Sequence, residues 1–205
     1  MKSYTETLMD MGSGDETQAH MLGVINDETD RMTRLIRDLL ALSKLDNNRE
    51  MQKLPVDLPG LVTSVCDRLA IEANEHRQTI ERDIDENVGS ILIDKDRIEQ
   101  VIVNIVGNAI KYTKDGGKIE VGLRRDEEKA YIRVKDNGIG IPKEDQERIF
   151  ERFYRVDKAR SRAMGGTGLG LAIAKEIVDA HGGTINLESH EGRGTTVTII
   201  LPFLA

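Results

Sequence analysis

Residues 94–112 of the chain are DKDRIEQVIVNIVGNAIKY. Apolar residues recur in this stretch every three or four positions, and this spacing predicts an amphipathic helix with one buried face. The predicted buried face comprises Ile98, Val101, Ile102, Ile105 and Ala109. A polar stripe with the same spacing adjoins it and comprises Gln100, Asn104, Asn108 and Lys111.

The polar stripe has two interpretations. Amide and ammonium groups beside a core face lose hydration unless another group binds them. An asparagine oxygen suits Mg²⁺, which prefers hard oxygen ligands, and a lysine one turn away supplies a point charge for phosphate. The stripe therefore indicates either a metal–phosphate site or the solvated edge of a helix, and this stretch alone leaves both open.

The composition limits the possible partners. The chain has 205 residues, 39% of them hydrophobic and 32% charged, which is typical of a globular protein of one or two domains. Its net charge of −7 argues against nucleic acid or an anionic membrane as a partner, because both repel an acidic surface. No stretch approaches the roughly 18 uncharged apolar residues of a membrane-spanning helix, and none has the pattern of an export signal. We expect a cytoplasmic location, which the lone Cys66 also fits.

Two regions of the chain differ in pattern, and we predict a domain boundary between residues 1–50 and 51–205. The first region is helical, with a break at residues 12–14 and a longer helix from about Asp15 to Asn47. The longer helix has a heptad-like apolar seam of Leu22, Ile25, Thr29, Met32, Ile36 and Leu39. This seam favours a helical hairpin or dimeric bundle over an ordinary amphipathic helix on a globular core.

The second region mixes helices with strands. Helices are predicted at 59–75, 94–112, 143–150 and 168–181, and strands at 78–84, 90–93, 118–125, 129–135, 184–189 and 195–201. This order is not a repeating strand–helix–strand pattern. It predicts an α+β fold in which helices pack on one face of a mixed or antiparallel sheet.

Two glycine-containing stretches follow the helix of residues 94–112. Residues 136–142, DNGIGIP, place Asp136 at the end of a strand, where its carboxylate could accept the exocyclic amine of adenine; an ordinary turn explains it equally well. Residues 165–171, GGTGLGL, open a helix, where free N–H groups favour an anion, although a flexible hinge is the alternative. The basic residues 152–164 before it have the composition of a lid or of an exposed loop.

Taken in order, five motifs resemble those of the ATP-binding domain of bacterial sensor histidine kinases, within the superfamily that includes gyrase and the ninety-kilodalton heat-shock chaperone. They are similar to the N box (104–113), the G1 box (136–140), the F box (150–155), the G2 box (166–171) and the final Gly-Thr turn (192–196). Residues 150–159 and 165–175 are especially similar to the WalK group of Gram-positive kinases.

This resemblance implies a Bergerat-type two-layer α/β sandwich preceded by a truncated dimerisation hairpin, with ATP and Mg²⁺ as cofactors. It also implies a response regulator as partner and homodimerisation of the intact parent through the hairpin. Asp136 would bind adenine, with Thr196 nearby through water and with Tyr112 and Ile141 against the purine. Asn108 would bind Mg²⁺, and Lys111 and Arg155 the phosphates. The remaining implied contacts are Gly138, Gly140, Gly166, Thr167, Gly168, Leu169 and Gly170.

Asn104 separates the implied activity from that of related ATPases. In those proteins the position similar to Asn104 holds a glutamate that activates water. Asparagine cannot act as a general base. The resemblance therefore implies a kinase that presents the γ-phosphoryl group of ATP to a histidine, with Asn104, Lys111 and Arg155 in catalytic roles. An ATPase or nucleotide-driven switch, or a non-catalytic helical module, remains the alternative.

The acceptor histidine is expected to be absent from this chain. The family carries it in a His-Glu-Leu-Arg-Thr-Pro-type box, and the chain begins with residues similar to those just after that box. None of the four histidines, His20, His76, His181 and His190, has that context. We expect that the chain does not phosphorylate itself at a family-equivalent histidine, and that His181 ends a helix where a cation is favoured.

Overall fold

The computed structural model describes residues 16–46, 51–156 and 167–203. Four helices are described: α1 (Glu16–Asp46), α2 (Leu58–Glu75), α3 (Lys95–Tyr112) and α4 (Gly170–Ala180). The strands are β1 (Leu54–Asp57), β2 (Thr79–Ile84), β3 (Ser90–Ile93), β4 (Lys118–Arg125), β5 (Lys129–Asp136), β6 (Thr184–His190) and β7 (Gly194–Pro202). Short 3₁₀ turns occupy Glu86–Val88, Lys143–Asp145 and Arg148–Phe150.

Five strands form the main sheet in the order β2-β4-β5-β7-β6. Strand β2 pairs parallel with β4, and the other neighbours pair antiparallel. Alternate residues of β4 and β5 are buried against the helices, and the intervening residues carry charge, as Lys118, Glu120 and Lys135 do. This alternation places α2, α3 and α4 on one face and confirms the predicted α+β, two-layer architecture.

Helix α3 lies at the centre of the helical layer. Its predicted apolar face is buried, and Asp94 caps its first turn by accepting the Arg97 N–H at 3.3 Å. Ile98, Val101 and Ile102 are fully enclosed between the sheet and the neighbouring helices. The polar stripe beside this face is thereby held in a fixed position.

Two local predictions need correction. Strand β1 is absent from the strands predicted from the sequence; it pairs antiparallel with β3, and its Pro55 is tolerated because the strand lies at an edge. Residues 143–150 form two 3₁₀ turns instead of one short helix. Only Ile149 is buried among the residues of these two turns, so tertiary packing gives little support to a regular helix.

Few of the described side chains of helix α1 pack against the core of the protein. Leu22 and Leu42 are buried, and Leu35 is partly buried against the core. Most of the predicted seam is exposed instead: Ile25, Met32, Ile36 and Leu39. The first helix of the predicted hairpin falls in residues 1–15, outside the described residues. None of the described helices combines the length and hydropathy needed to cross a membrane.

His181 ends helix α4 as predicted, but its surroundings disfavour a cation. The ring is buried; Nε2 accepts the Asp94 N–H at 3.1 Å, and Nδ1 lies 2.7 Å from the Ile177 carbonyl oxygen. Burial lowers the pKa of His181 below its ordinary value, an effect that exceeds the opposing hydrogen bond to Ile177. The neutral ring thus joins the end of α4 to the start of α3.

Candidate functional site

A cavity of about 1220 Å³ lies beside the polar stripe of α3. Its walls come from α3, the loop after β5, the segment before α4 and the β6–β7 hairpin. The predicted site residues that line it are Asn104, Asn108, Lys111, Tyr112, Asp136, Gly140, Ile141, Arg155, Thr167, Gly168 and Gly170. Stretches that are well separated in sequence therefore meet around one space.

Some predicted site residues are placed elsewhere. Leu169 is fully buried in the core, and Gly138 lies behind Asp136 with its N–H bonded to that carboxylate. Gly166 lies outside the described residues, as do residues 157–165, which contain most of the predicted lid. Neither Leu169 nor Gly138 forms part of the cavity wall.

The cavity wall contains Thr195 where the sequence predicted Thr196. Thr195 lies opposite Ser189 in the β6–β7 ladder, whereas Thr196 lies opposite Glu188. Successive residues of a strand point to opposite faces, so a shift of one residue moves the side chain from the helical side of the sheet to the other. Thr196 is therefore corrected to Thr195 as the threonine that reaches the cavity.

Asp136 forms one end of the cavity. It continues the buried alternation of β5 and is 9% exposed. Its Oδ1 accepts the N–H of Gly138 at 2.8 Å and the N–H of Thr195 at 3.2 Å. Burial raises the pKa of Asp136, while these two hydrogen bonds act in the lowering direction. Both bonds fall on Oδ1, so Oδ2 is the oxygen that can accept an N–H from a ligand.

The glycines of the Asp136 loop fit the protein's own backbone. Gly140 has φ +68°, and a Cβ there would lie 2.0 Å from the His190 carbonyl oxygen. A Cβ at Gly138 would lie 2.4 Å from the Tyr112 carbonyl oxygen. These close approaches are made by neighbouring parts of the protein, and they fix the loop on which Asp136 and Ile141 lie.

The α3 stripe borders the middle of the cavity. Asn104 donates from Nδ2 to the Gly170 carbonyl oxygen at 3.0 Å, which joins α3 to the first turn of α4. Lys111 lies with its Nζ 5.5 Å from the ring centroid of Tyr112. Among the described residues there is no group of three or more His, Cys, Asp or Glu side chains able to hold a metal. A metal here would rely on an amide oxygen such as that of Asn108 and on oxygens of its ligand, which suits Mg²⁺.

The segment before α4 borders the other end of the cavity. Thr167 accepts the Leu169 N–H at 3.3 Å and donates to Asp38 Oδ2 at 2.7 Å. Asp38 and its neighbour Arg37 belong to α1 and also line the cavity. The sequence patterns did not indicate that α1 reaches the site, because a contact 129 residues away in sequence leaves no local signal.

Three further polar residues position the site without a recognisable sequence signal. Gln78 is buried and donates from Nε2 to the carbonyl oxygens of Ile110 and Thr113, at the end of α3. Gln146 donates from Nε2 to the carbonyl oxygens of Ile141 and Ser189, each at 2.9 Å. Ser189 accepts the Ile141 N–H at 2.8 Å. Except for the bond from Gln146 to Ile141, each bond joins parts of the chain that are distant in sequence.

Comparison with known proteins identifies the two parts of the chain. The family described as histidine kinase-, DNA gyrase B- and HSP90-like ATPase matches residues 93–205, and the His Kinase A (phospho-acceptor) domain matches residues 1–48. The sensor histidine kinase WalK of Bacillus subtilis (strain 168) is 45% identical over 211 residues, covering 99% of this chain and 34% of that protein. The chain therefore spans about a third of the length of that curated relative.

Solved structures give the same result. Full-length ShkA in complex with AMPPNP aligns with a TM-score of 0.78 and 27% identity, covering 96% of this chain and 41% of that one. Histidine kinase ThkA in complex with the response regulator protein TrrA aligns with a TM-score of 0.75 and 25% identity, covering 98% of this chain and 56% of that one.

The match of residues 1–48 to a phospho-acceptor domain does not confirm the expectation that the acceptor histidine is absent. The resemblance drawn from the five motifs, including the likeness to WalK kinases, is confirmed. The chain belongs to the family of histidine kinase-, DNA gyrase B- and HSP90-like ATPases, and its two matched domains are those of a sensor histidine kinase.

Proposed function

We propose that the cavity binds ATP with Mg²⁺ and that the chain is the catalytic portion of a protein-histidine kinase. One observation carries the proposal. A buried carboxylate (Asp136), an amide and lysine stripe (Asn108 and Lys111) and the start of α4 border the same space. A carboxylate suits a purine amine, and the other two groups suit a metal-bound polyphosphate, so a nucleotide triphosphate fits the order of these groups.

At the purine end, Asp136 Oδ2 accepts a hydrogen bond from adenine N6. Tyr112 and Ile141 line the cavity and provide apolar surface for the two faces of the base. Both backbone polar groups of Ile141 are hydrogen-bonded: its N–H donates to Ser189 Oγ, and its carbonyl oxygen accepts from Gln146 Nε2. The purine therefore meets a wall that is already in position before binding.

At the phosphate end, Asn108 supplies an oxygen ligand to Mg²⁺, and Lys111 and Arg155 contact phosphate oxygens. All three residues line the cavity. The first turn of α4, with Thr167, Gly168 and Gly170 before or within it, presents backbone N–H groups to the same region. When bound, Mg²⁺ would neutralise phosphate charge and orient the γ-phosphoryl group.

The chemistry is transfer of the γ-phosphoryl group to a histidine, and from there to a response-regulator aspartate. An imidazole nitrogen that carries no proton forms the new N–P bond while the bond from phosphorus to the β,γ-bridging oxygen breaks, and ADP leaves. Asn104 cannot remove a proton from water, and its amide is engaged with Gly170. The site thus holds ATP in place with little hydrolysis until a histidine arrives.

Partners and location follow from the same proposal. The exposed apolar seam of α1 is the homodimer contact of the intact kinase, and a response regulator accepts the phosphoryl group, as the ThkA–TrrA complex suggests by analogy. The acidic chain works in the cytoplasm without nucleic acid or direct membrane contact. We propose in addition that the boundary between the dimerisation and catalytic domains lies near residue 50.

We also propose that none of the four histidines is the phosphoacceptor. His181 is buried, with both ring nitrogens engaged by backbone groups. His76 and His190 lie on the catalytic unit, at the end of α2 and in β6. Incubation with γ-labelled ATP is expected to leave the chain unlabelled, and stable label on any histidine in a digest contradicts this.

Calorimetric titration with AMPPNP tests nucleotide binding. The chain should bind with Mg²⁺ and bind more weakly without it. Asp136→Asn should weaken binding at least tenfold, because the amide offers an N–H toward an amine that needs an acceptor. Asp96→Asn, an exposed change in the first turn of α3, is the matched control and should leave affinity unchanged. No binding at millimolar AMPPNP, or equal affinity in Asp136→Asn, contradicts the proposal.

A further inference from the structure

Ser189 lies near the end of β6, directly across the ladder from Thr195 of β7. It is 7% exposed, and its hydroxyl makes three contacts. Oγ accepts the Ile141 N–H at 2.8 Å, lies 3.1 Å from the Gly194 carbonyl oxygen and lies 2.9 Å from Thr195 Oγ1. The hydroxyl thus stands behind two cavity residues, Ile141 and Thr195.

The three contacts determine where the protons lie. A serine hydroxyl has one proton to donate and two lone pairs to accept with. The Gly194 carbonyl can only accept, and the Ile141 N–H can only donate. If Ser189 donates to Gly194, Thr195 donates to Ser189 and all three contacts are hydrogen bonds. If Ser189 donates to Thr195 instead, the Gly194 contact has no proton. Buried polar groups are satisfied where the geometry allows it, which favours the first arrangement.

This arrangement gives Thr195 a fixed polarity toward the cavity. Its hydroxyl proton is used by Ser189, so Oγ1 offers only lone pairs to a ligand. Asp136 is adjacent, since its Oδ1 accepts the Thr195 N–H at 3.2 Å. The purine end of the cavity therefore presents two neighbouring acceptors, a carboxylate and a hydroxyl oxygen that cannot donate.

We propose that Ser189 is a specificity-determining positioning residue, which holds the Thr195 hydroxyl as an acceptor and so selects a purine with an amine at C6. The inference rests on the proposed function. A purine with a carbonyl at C6 is disfavoured, because the oxygen that replaces the amine finds no donor, and its N1–H can satisfy only one of the two acceptors. Without Ser189, the Thr195 hydroxyl can rotate and donate to that carbonyl.

Removal of the Ser189 side chain should leave the loop in place. Gln146 donates to the backbone carbonyls of Ile141 and Ser189, and neither bond involves the serine hydroxyl. Ser189→Ala therefore tests the polarity of Thr195 with the surrounding loop still attached.

The probes are ADP and IDP, which carry an amine and a carbonyl at C6, titrated by calorimetry in the presence of Mg²⁺. The unmodified chain should prefer ADP by at least about thirtyfold, and Ser189→Ala should lower this preference about tenfold. Thr195→Val should lower it similarly, and the double variant should lower it no further, because Ser189 acts through Thr195. Asn186→Ala, exposed on the same strand, is the matched control with the preference unchanged.

The outcomes separate the two proposals. If the unmodified chain does not bind ADP, the proposed function fails and this inference fails with it. If it binds ADP but Ser189→Ala weakens ADP and IDP in parallel, Ser189 is merely structural and this inference alone is overturned. Additive effects in the double variant also overturn it. Should Ser189→Ala not fold, as judged by thermal unfolding, Thr195→Val decides: an unchanged preference overturns the inference.

Discussion

Helix α1 and helix α3 have similar apolar periodicity but opposite surroundings. The apolar face of α3 is enclosed by the sheet and by α2 and α4, whereas most of the seam of α1 is exposed. A repeat every three or four residues thus identifies a face that will be buried, but it does not say whether the same chain or another one buries it. Helices α2, α3 and α4 and the main sheet enclose a core of their own, whereas most of the α1 seam is exposed among the described residues.

The largest expected effect comes from comparing one apolar residue on each helix. Ile102 in α3 is fully buried, and Ile36 in α1 is 55% exposed. Ile102→Ala should lower the free energy of unfolding by about 2–5 kcal/mol, because it leaves a cavity in the core. Ile36→Ala should change it by less than about 0.5 kcal/mol in the monomer. Urea unfolding at low protein concentration measures both, and equal losses contradict the comparison.

The sequence was sufficient for the elements whose pattern is local. The buried face of α3 and the alternation in β4 and β5 are present where predicted. Local patterns could not predict that Asp136 and the Asn104–Lys111 stripe share one cavity. That depends on how a loop, a hairpin and two helices pack together. The resemblance to a known family supplied that expectation, and the structure places these residues on one cavity.

The rest of the site could not be predicted for physical reasons. Thr195 and Thr196 are identical residues, and only the pleat and register of β7 decide which one faces the helices. Ser189, Gln146 and the Asp38–Thr167 pair act through long-range hydrogen bonds. Such bonds have no periodicity, so nothing in the local sequence distinguishes these residues from polar surface residues.

Replacing His181 tests how much the link between α4 and α3 contributes to the free energy of unfolding. His181→Phe keeps an aromatic ring but removes the bonds to Asp94 and Ile177, and it should cost about 1–3 kcal/mol at pH 8. The pKa of His181 is lowered by burial, so the unfolded chain binds the proton more readily than the folded chain. The stability that His181 contributes is therefore complete above its ordinary pKa of 6.5 and declines as the pH falls below that value.

Unfolding measured from pH 8 to pH 5 should show the gap between the unmodified chain and His181→Phe narrowing below pH 6.5. His190→Gln, an exposed change at the end of β6, is the control for losing a histidine. A gap that stays constant or widens toward low pH contradicts a buried, neutral ring.

The contact between the two regions gives a smaller effect. Asp38 of α1 lines the cavity and accepts a hydrogen bond from Thr167. Asp38→Asn keeps an acceptor oxygen but removes a negative charge beside the proposed phosphate site. Binding of AMPPNP should tighten about two- to fivefold, and more at low ionic strength, because charge repulsion is removed. Weaker binding indicates that the charge of Asp38 itself supports the site. Asp30→Asn, elsewhere on α1, is the control.

Chemical modification is expected to have the smallest effect on function. It compares directly how accessible a buried residue of α2 and an exposed residue of α1 are. Cys66 lies on the buried face of α2, and burial raises the pKa of its thiol to about 11, so the reactive thiolate is scarce. Met32 on α1 is 56% exposed. In the native chain a thiol reagent should leave Cys66 unmodified while dilute peroxide oxidises Met32, as peptide mass spectrometry measures. If Met32 becomes better protected as protein concentration rises, a second copy covers the α1 seam. Rapid labelling of Cys66 would indicate that the core around α2 opens, and it would contradict the comparison between the two helices.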